Sequence, residues 1–453
     1  MIDVSSGRAP NLNAPWRLSS DAILFIALWA AQFWSSSLSG FIVPTESFSM
    51  MEVIRLTRVM AYAPVSTIMI VVLCSYIVAD VALSGPRQFR IKLIAIWILI
   101  IAFVFIPTVA AIFYRHSTAP YRFIHDGAIQ LEEAIKFLLA GKNPYVENYT
   151  ETPMALWSFH EQGFDVNPAL YHLPYLPFTF LVSVPVYLVS QFAIGWFDQR
   201  LVFLIMFLFL IPILLQIGGT PSEKLGALMM VALNPLFVPY FVEGRNDVVV
   251  LFWIVGSVLF LQRNQPVWSG LFLACAVGSK QTAWFLVPFF LLFVLKLSSS
   301  DQWQAIAPRA KQLAPGAIWL ALILFPFLIW NPAAFVEDTI NFQSGISANA
   351  LSYPVKSLGL GDLLVGFGII QSNDQAFPFS LLQILFGGLT LGLLLRKQLS
   401  HNTLGQILFN YAVLFFVSAF FSRTFNDNHL GFALILLLLP SLVAEPTTQK
   451  SNP

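Results

Sequence analysis

The chain has 453 residues, 57% hydrophobic and only 10% charged, with a net charge of +1 and a mean hydropathy of +0.74. A soluble domain of this size needs more charge at its surface, so the composition defines a polytopic membrane protein. The near-zero net charge leaves no broad basic surface, which argues against nucleic acid as a partner. Cys74 and Cys275 both fall inside apolar runs and predict neither a disulfide framework nor a metal knot.

The first twenty residues are polar and lack an apolar core, so no cleavable signal peptide is expected. Apolar windows of spanning length follow near 22–43, 61–84, 93–114, 172–194, 200–217 and 225–242. Further windows lie near 247–262, 266–297, 314–331, 378–395, 404–421 and 429–444. The 266–297 window is too long for one straight span at ~1.5 Å per residue. Gly278-Ser279-Lys280-Gln281 interrupts it, so a broken helix or two shorter ones are expected there. The prediction is an all-α membrane protein of about twelve or thirteen transmembrane helices. Its expected divisions are 1–92, a tail with two extra transmembrane helices; 93–297, a central module with an external loop at 115–169; and 298–453, the C-terminal spans with an external loop at 332–377.

Basic residues set the orientation. Arg87, Arg90 and Lys92, then Lys296–Lys311, then Arg396–His401, read as cytoplasmic, which places both long loops outside. The second of these is polar but carries no recognisable motif. A non-helical break at membrane depth persists only where it is buried in protein or lines a wet cavity, so Gly278–Gln281 is a candidate cavity wall.

The first external loop holds the most informative stretch, Arg122 to Tyr145. Ala128, Leu131, Ile135 and Leu138 recur at helical spacing, with Gln130, Glu132, Glu133 and Lys136 on the other face. This predicts an amphipathic interfacial helix with Glu132 and Lys136 paired and both glutamates solvated. Gly141 and Pro144 end it.

Asp126, at the start of that helix, reads in two ways. It is a preferred N-cap residue, and it is also a carboxylate just outside the membrane that can take a proton from a hydroxyl. Glu243-Gly244-Arg245-Asn246-Asp247 is either a polar connection of mixed charge or a phosphate site, with Asp247 orienting the fork of Arg245. Lys280, isolated between apolar runs, either snorkels to the interface or holds an anionic headgroup. Arg423-Thr424-Phe425-Asn426-Asp427-Asn428-His429 is a connecting loop or a further source of cation and hydrogen bonds. His160 and His172 are lone histidines, more often structural than ligands. Neither a metal-ligand spacing nor a Gly-rich nucleotide loop is present.

Asp126 followed by Leu139-Ala140-Gly141-Lys142-Asn143-Pro144-Tyr145 resembles the first external loop of bacterial GT-C membrane glycosyltransferases, especially the polyprenyl-phosphate-mannose-dependent mannosyltransferases. Tyr171-His172-Leu173-Pro174-Tyr175-Leu176-Pro177 is similar to that family's entry to the next span. Gly244-Arg245-Asn246-Asp247, Arg263, Ser269-Gly270 and Lys280-Gln281 through Pro288 follow its motif order. The resemblance covers about 93–295. Arg245 stands where the family commonly has His or Gln, and two additional spans precede its usual first one.

The resemblance implies a GT-C-like fold in a multi-pass cell membrane protein, a bacterial inner-membrane one, with an extracytoplasmic active site. It implies transfer of a hexose such as mannose from a polyprenyl-phosphate sugar to a hydroxyl of a glycan, lipid or protein acceptor. Asp126 is then the general base, with Lys280, Arg245 and Arg423 holding the donor phosphate. His125, Asn143, Tyr145 and His172, with Asp247, Gln281 and His429, are the substrate-binding candidates. Displacement by one base implies inversion. A divalent cation is compatible with this chemistry, but no residue pattern demands one. The same charges also fit a lipid-linked saccharide flippase or other transporter, which predicts related halves with matching breaks. A non-catalytic assembly factor predicts that Asp126 and Lys280 are dispensable.

Overall fold

The structure, a computed structural model, describes residues 18–42, 64–159, 163–295, 303–347 and 352–445. His160, most of the N-terminal tail and the basic connection from Lys296 lie outside the described residues.

Among the described residues, apolar sequence of spanning length becomes helix over most of its extent, the stretch 172–177 excepted. Helix α1 (Ser20–Ile42) and α2 (Pro64–Ala82) precede α3, a continuous helix over Gly85–Thr118. Pro107 lies just beyond a π-helical turn at Ile101–Phe105, where the missing proline N–H and its ring are absorbed by widening the helix. Next come α4 (Asp126–Leu139), α5 (Phe178–Ile194), α6 (Arg200–Ile217), α7 (Pro221–Ala232) and the short α8 (Val238–Glu243). Thr220 and Glu223 close a capping box at the start of α7, with Pro221 at its first turn. Helices α9 (Asp247–Gln262), α10 (Pro266–Ser279) and α11 (Gln281–Leu295) follow, then α12 (Trp303–Trp330) and a helical segment at 332–344. The last helices are α13 (Leu360–Gly366), α14 (Phe379–Ser400), α15 (Leu404–Phe420) and α16 (Asp427–Leu442). Two two-residue strands, β1 (Lys356–Ser357) and β2 (Thr424–Phe425), pair in parallel and pin the second long loop to the start of α16.

Among the described residues, four helices are long and apolar enough to cross a membrane, namely α3, α6, the Ile306–Trp330 part of α12, and α14. Eight shorter apolar helices accompany them, and the molecule is a multi-pass membrane protein. Helices α9, α10 and α12 form the most closely packed group. A Cβ at Gly316 would come 2.6 Å from the Gly270 carbonyl oxygen, so glycine allows α10 and α12 to meet backbone to backbone.

The expected break in the 266–297 window is present. Helix α10 ends at Ser279, Lys280 is extended, and α11 opens with a 3-10 turn over Gln281–Leu286. The 225–242 window also divides, at Asn234-Pro235, into α7 and α8.

Of the solvated face expected on α4, only Lys136 is exposed. Every residue from Gly127 to Ile135 is buried, Glu132 and Glu133 at 5% and 7% exposure. Glu132 does not pair with Lys136, which bonds Glu133 instead at 2.6 Å. Arg115, from the end of α3, grips both Glu132 oxygens at 2.7 Å and reaches Asp198 at 2.8 Å. Arg200, with 0% exposure, donates to both oxygens of Asp198 and to the Phe123 carbonyl at 2.6 Å. Two arginines and two carboxylates thus form a buried, charge-balanced lattice tying α3, α4 and α6 together.

Lys92 is also no surface cation. It is buried between Asp21 at 2.7 Å and Asp80 at 2.5 Å, with Tyr76 and Ser222 donating to Asp21. This cluster fastens α1 and α2 to α3 and α7.

Removing one partner of a buried ion pair strands the other, at a cost of about 3–5 kcal/mol. Glu132→Ala should therefore lower stability by roughly that amount in detergent-solubilised protein, read from chemical unfolding. A change under ~0.5 kcal/mol, as for a solvated residue, would return Glu132 to the surface.

Candidate active site

One cavity of about 370 Å³ brings together the residues on which the sequence concentrates chemistry. His125 and Gly127, at the start of α4, line one part of it. Gly244, Arg245 and Asn246, between α8 and α9, line another. Lys280 and Gln281 enter from the break between α10 and α11, and Asn428 and His429 from the start of α16. Trp284, Phe285, Phe415 and Ala419 give the same space an apolar wall.

Lys280 occupies the helix break because an extended residue there turns its side chain out of the α10 stack. Its ammonium bonds Asp247 Oδ1 at 2.6 Å and Asn246 Oδ1 at 3.1 Å. An ammonium has three donors, so one remains for the cavity. The second Asp247 oxygen accepts from Asn428 Nδ2 at 2.6 Å, and Asn428 Oδ1 accepts from Arg245 Nη1 at 2.6 Å. Arg245 Nε donates to Glu243 at 2.9 Å, and the guanidinium lies 4.5 Å from the centre of the Tyr240 ring. Burial alone would ease a proton off Arg245, but the Glu243 carboxylate outweighs it and raises the pKa. A guanidinium carries five N–H donors, so Arg245 keeps others beyond those two bonds. The cluster carries two cations and two carboxylates, so it is close to neutral until an anion uses the spare donors.

Asp126 stands between two lining residues and is not itself among them; its side chain is 15% exposed. The N-cap of α4 is His125, and Asp126 is the first helical residue. Asn167 Nδ2 donates to Asp126 Oδ2 at 2.8 Å, and the Gly127 N–H to Oδ1 at 2.7 Å. His125 Nδ1 lies 2.9 Å from Asp126 Oδ1 and 3.0 Å from Gly127 N. That nitrogen cannot donate and accept together, so with a hydrogen on Nδ1 it serves Asp126 and without one it serves Gly127. Burial pushes the Asp126 carboxyl up. The neighbouring His125, then Asn167 and the Gly127 amide, outweigh it and hold it at about 2. The carboxylate is thus ionised at neutral pH and weakly basic.

Gln281 donates to the Pro174 and Thr339 carbonyls at 3.2 and 2.8 Å. His429 Nδ1 accepts from the Asn426 amide at 3.4 Å in the cap of α16. Arg423, Asn143, Tyr145 and His172 are not among the lining residues, although Ser422 and Thr424 on either side of Arg423 are. Arg423 is buried and donates to the carbonyls of Tyr353, Gln375 and Asn373, stapling the second long loop. Asn143 Oδ1 accepts from the Tyr145 amide at 3.1 Å, and Tyr145 donates to the Tyr175 carbonyl at 2.8 Å. His172 stacks on Phe342 and bonds Asp338 at 2.9 Å.

Sequence reasoning missed Tyr175, Gln343 and Tyr353, which line the cavity, and Asn167, which holds Asp126. Gln343 and Tyr353 sit in the loop that carried no motif. Tyr175 lies within the stretch similar to the family's entry to a span, where its residue type alone does not mark it. Among the described residues, no three His, Cys, Asp or Glu side chains gather to hold a metal ion.

Buried ion pairs at the end of apolar spans, opening into a cavity with one polar and one apolar wall, make a membrane site suited to a lipid-linked substrate. Residues 135–296 match a family model described as alpha-(1->6)-mannopyranosyltransferase, N-terminal domain. The matched segment is thus similar to a glycosyltransferase domain. It includes Arg245, Asp247 and Lys280 and begins after Asp126. No curated protein and no solved structure matches the chain.

A carboxyl whose folded pKa is depressed contributes stability above its ordinary value and loses it as pH falls through about 2. Difference infrared spectra of wild type against Asp126→Asn should accordingly show no carboxyl protonation above about pH 4. A midpoint above about 5 would mean the three donors do not hold the group down.

Proposed function

We propose that the protein transfers a hexose, mannose by the family its central segment matches, from a polyprenyl-phosphate donor to an acceptor hydroxyl on the extracytoplasmic face. The observation that carries this reading is the shared cavity, with Lys280 and Arg245 on one side and the two neighbours of Asp126 on another.

The donor phosphate takes the spare N–H of Lys280 and those of Arg245, and the polyprenyl chain runs along Trp284, Phe285 and Phe415 toward the bilayer. Asp126 accepts the proton of the acceptor hydroxyl as its oxygen attacks the anomeric carbon. The bond from that carbon to the phosphate oxygen breaks, and its electron pair leaves on polyprenyl phosphate, held by the two cations. One displacement with one base inverts the anomeric centre. Asp247 and Asn246 orient Lys280, while Glu243 and Asn428 orient Arg245. Gln281 and His429 complete the substrate side. Arg423, Asn143, Tyr145 and His172 act on the shape of the loops rather than on the substrate. These steps use the chain's own side chains, and a divalent cation is not required by them.

In this reading the four long and eight shorter apolar helices all cross or enter the bilayer. Residues 1–92 form an attachment to the module at 93–297, and 298–453 supply its remaining wall.

Asp126→Asn should lose transfer by about 10²–10⁴-fold while inserting normally, since a positioned general base contributes that much. The assay is purified protein in lipid nanodiscs with radiolabelled polyprenyl-phosphate mannose, scored for label released or moved. Wild-type rates in this variant would refute the role of Asp126. Equal failure of the wild type with every labelled polyprenyl-phosphate hexose would refute the donor class.

A further inference from the structure

Tyr175 lies in the connection leading to α5 and lines the cavity beside His125, Gly127, Arg245 and Lys280. Its backbone is fixed from several directions. Its own carbonyl accepts from Tyr145, and the preceding Pro174 carbonyl accepts from Gln281 at 3.2 Å and from Gln343 at 3.4 Å. Its hydroxyl makes no hydrogen bond to any described residue, as is also true of the cavity-lining Thr282 hydroxyl, whereas Lys280, Arg245, Gln281 and Asn428 have protein acceptors.

Gly127 explains how the ring reaches this place. A Cβ there would come 2.0 Å from the Tyr175 hydroxyl oxygen, 3.0 Å from Cζ and 3.2 Å from His125 Nδ1. Gly127 sits in the first turn of a regular helix, where alanine is ordinarily the better residue. The space taken by the tyrosine, rather than backbone conformation, accounts for the glycine. The phenol also stays protonated: burial first, then the charges of Asp126, Tyr353 and Asp247, raise its pKa well above the ordinary value.

We propose that the Tyr175 hydroxyl, seated over Gly127, donates a hydrogen bond to a ring hydroxyl of the sugar being transferred and so helps select that sugar. The inference rests on the transferase reading. With the phosphate on Lys280 and Arg245 and the acceptor at Asp126, the pyranose lies between them, beside this open donor. A hydroxyl left without its partner in a cavity discriminates between substrates, because the site's own donor is stranded with the wrong one.

The test uses polyprenyl-phosphate mannose and a set of its mono-deoxy analogues with wild type, Tyr175→Phe, Gly127→Ala and the double variant in nanodiscs. Tyr175→Phe should unfold at the wild-type temperature and lower kcat/KM about tenfold with the full sugar. It should cause no further loss with one particular deoxy analogue, the one that lacks the hydroxyl Tyr175 meets. Gly127→Ala should be severe on its own and milder when combined with Tyr175→Phe, because the 2.0 Å clash is with the hydroxyl oxygen that the second substitution removes. The two substitutions should therefore be non-additive.

An active wild type with an equally active Tyr175→Phe would overturn the role of Tyr175 alone. A loss that is the same with every analogue would overturn the contact with the sugar. Strict additivity of the two substitutions would overturn the seating of the hydroxyl over Gly127. An inactive wild type would count against the transferase reading itself.

Discussion

Where two apolar helices fail to join, a single ammonium group is held at the edge of a cavity by a carboxylate and an amide. That arrangement constrains much of the rest. An unpaired lysine at membrane depth is costly, about 2.5–3.5 kcal/mol even on a lenient scale, so Lys280 needs Asp247 and Asn246. Asp247 in turn needs Asn428, and Asn428 holds Arg245. The chain of contacts draws α9, the break before α11 and the start of α16 to one place, although they are far apart in sequence. It also leaves the pocket nearly neutral while keeping spare N–H groups.

The Asp126 side of the cavity is positioned by a different set of charges. Arg115, Glu132, Asp198 and Arg200 form a lattice behind α4, and Arg200 reaches the carbonyls of Phe123 and Val242 at 2.6 and 3.3 Å. One guanidinium therefore touches both the stretch of chain leading to His125 and Asp126 and the one leading to Glu243 and Arg245. The His125 amide also donates to the Glu243 carbonyl at 2.9 Å. Phe123 is held at a φ of 57°, a conformation unusual for a phenylalanine, beside this contact. The two halves of the site are thus fixed to each other through the backbone before any substrate arrives.

Much of this was legible in the sequence because it depends on local pattern. The apolar windows became helices, and Gly278–Gln281 became a break at Lys280, because glycine and a stranded charge oppose helix continuation in an apolar run. Gly141, at a φ of +75°, ends α4 where the spacing placed it. The fate of Glu132 was not legible, since its partner Arg115 lies 17 residues earlier and Asp198 lies farther along. A polar face looks solvated until the tertiary structure supplies a buried cation. Arg423 escaped for the related reason that its acceptors are backbone carbonyls, which every sequence offers everywhere. Tyr175 was hidden because a tyrosine near a membrane interface ordinarily marks an aromatic belt. Only its contact with Gly127 distinguishes it.

The most direct measurement is a cryo-electron microscopy map of the protein in nanodiscs saturated with a polyprenyl phosphate, the product common to any sugar transferred. The account predicts phosphate density in direct contact with the Lys280 ammonium and the Arg245 guanidinium, with the chain passing Trp284 and Phe415 into the bilayer. Density that places the phosphate at another surface, with both cations still turned only to their own carboxylates, would contradict it.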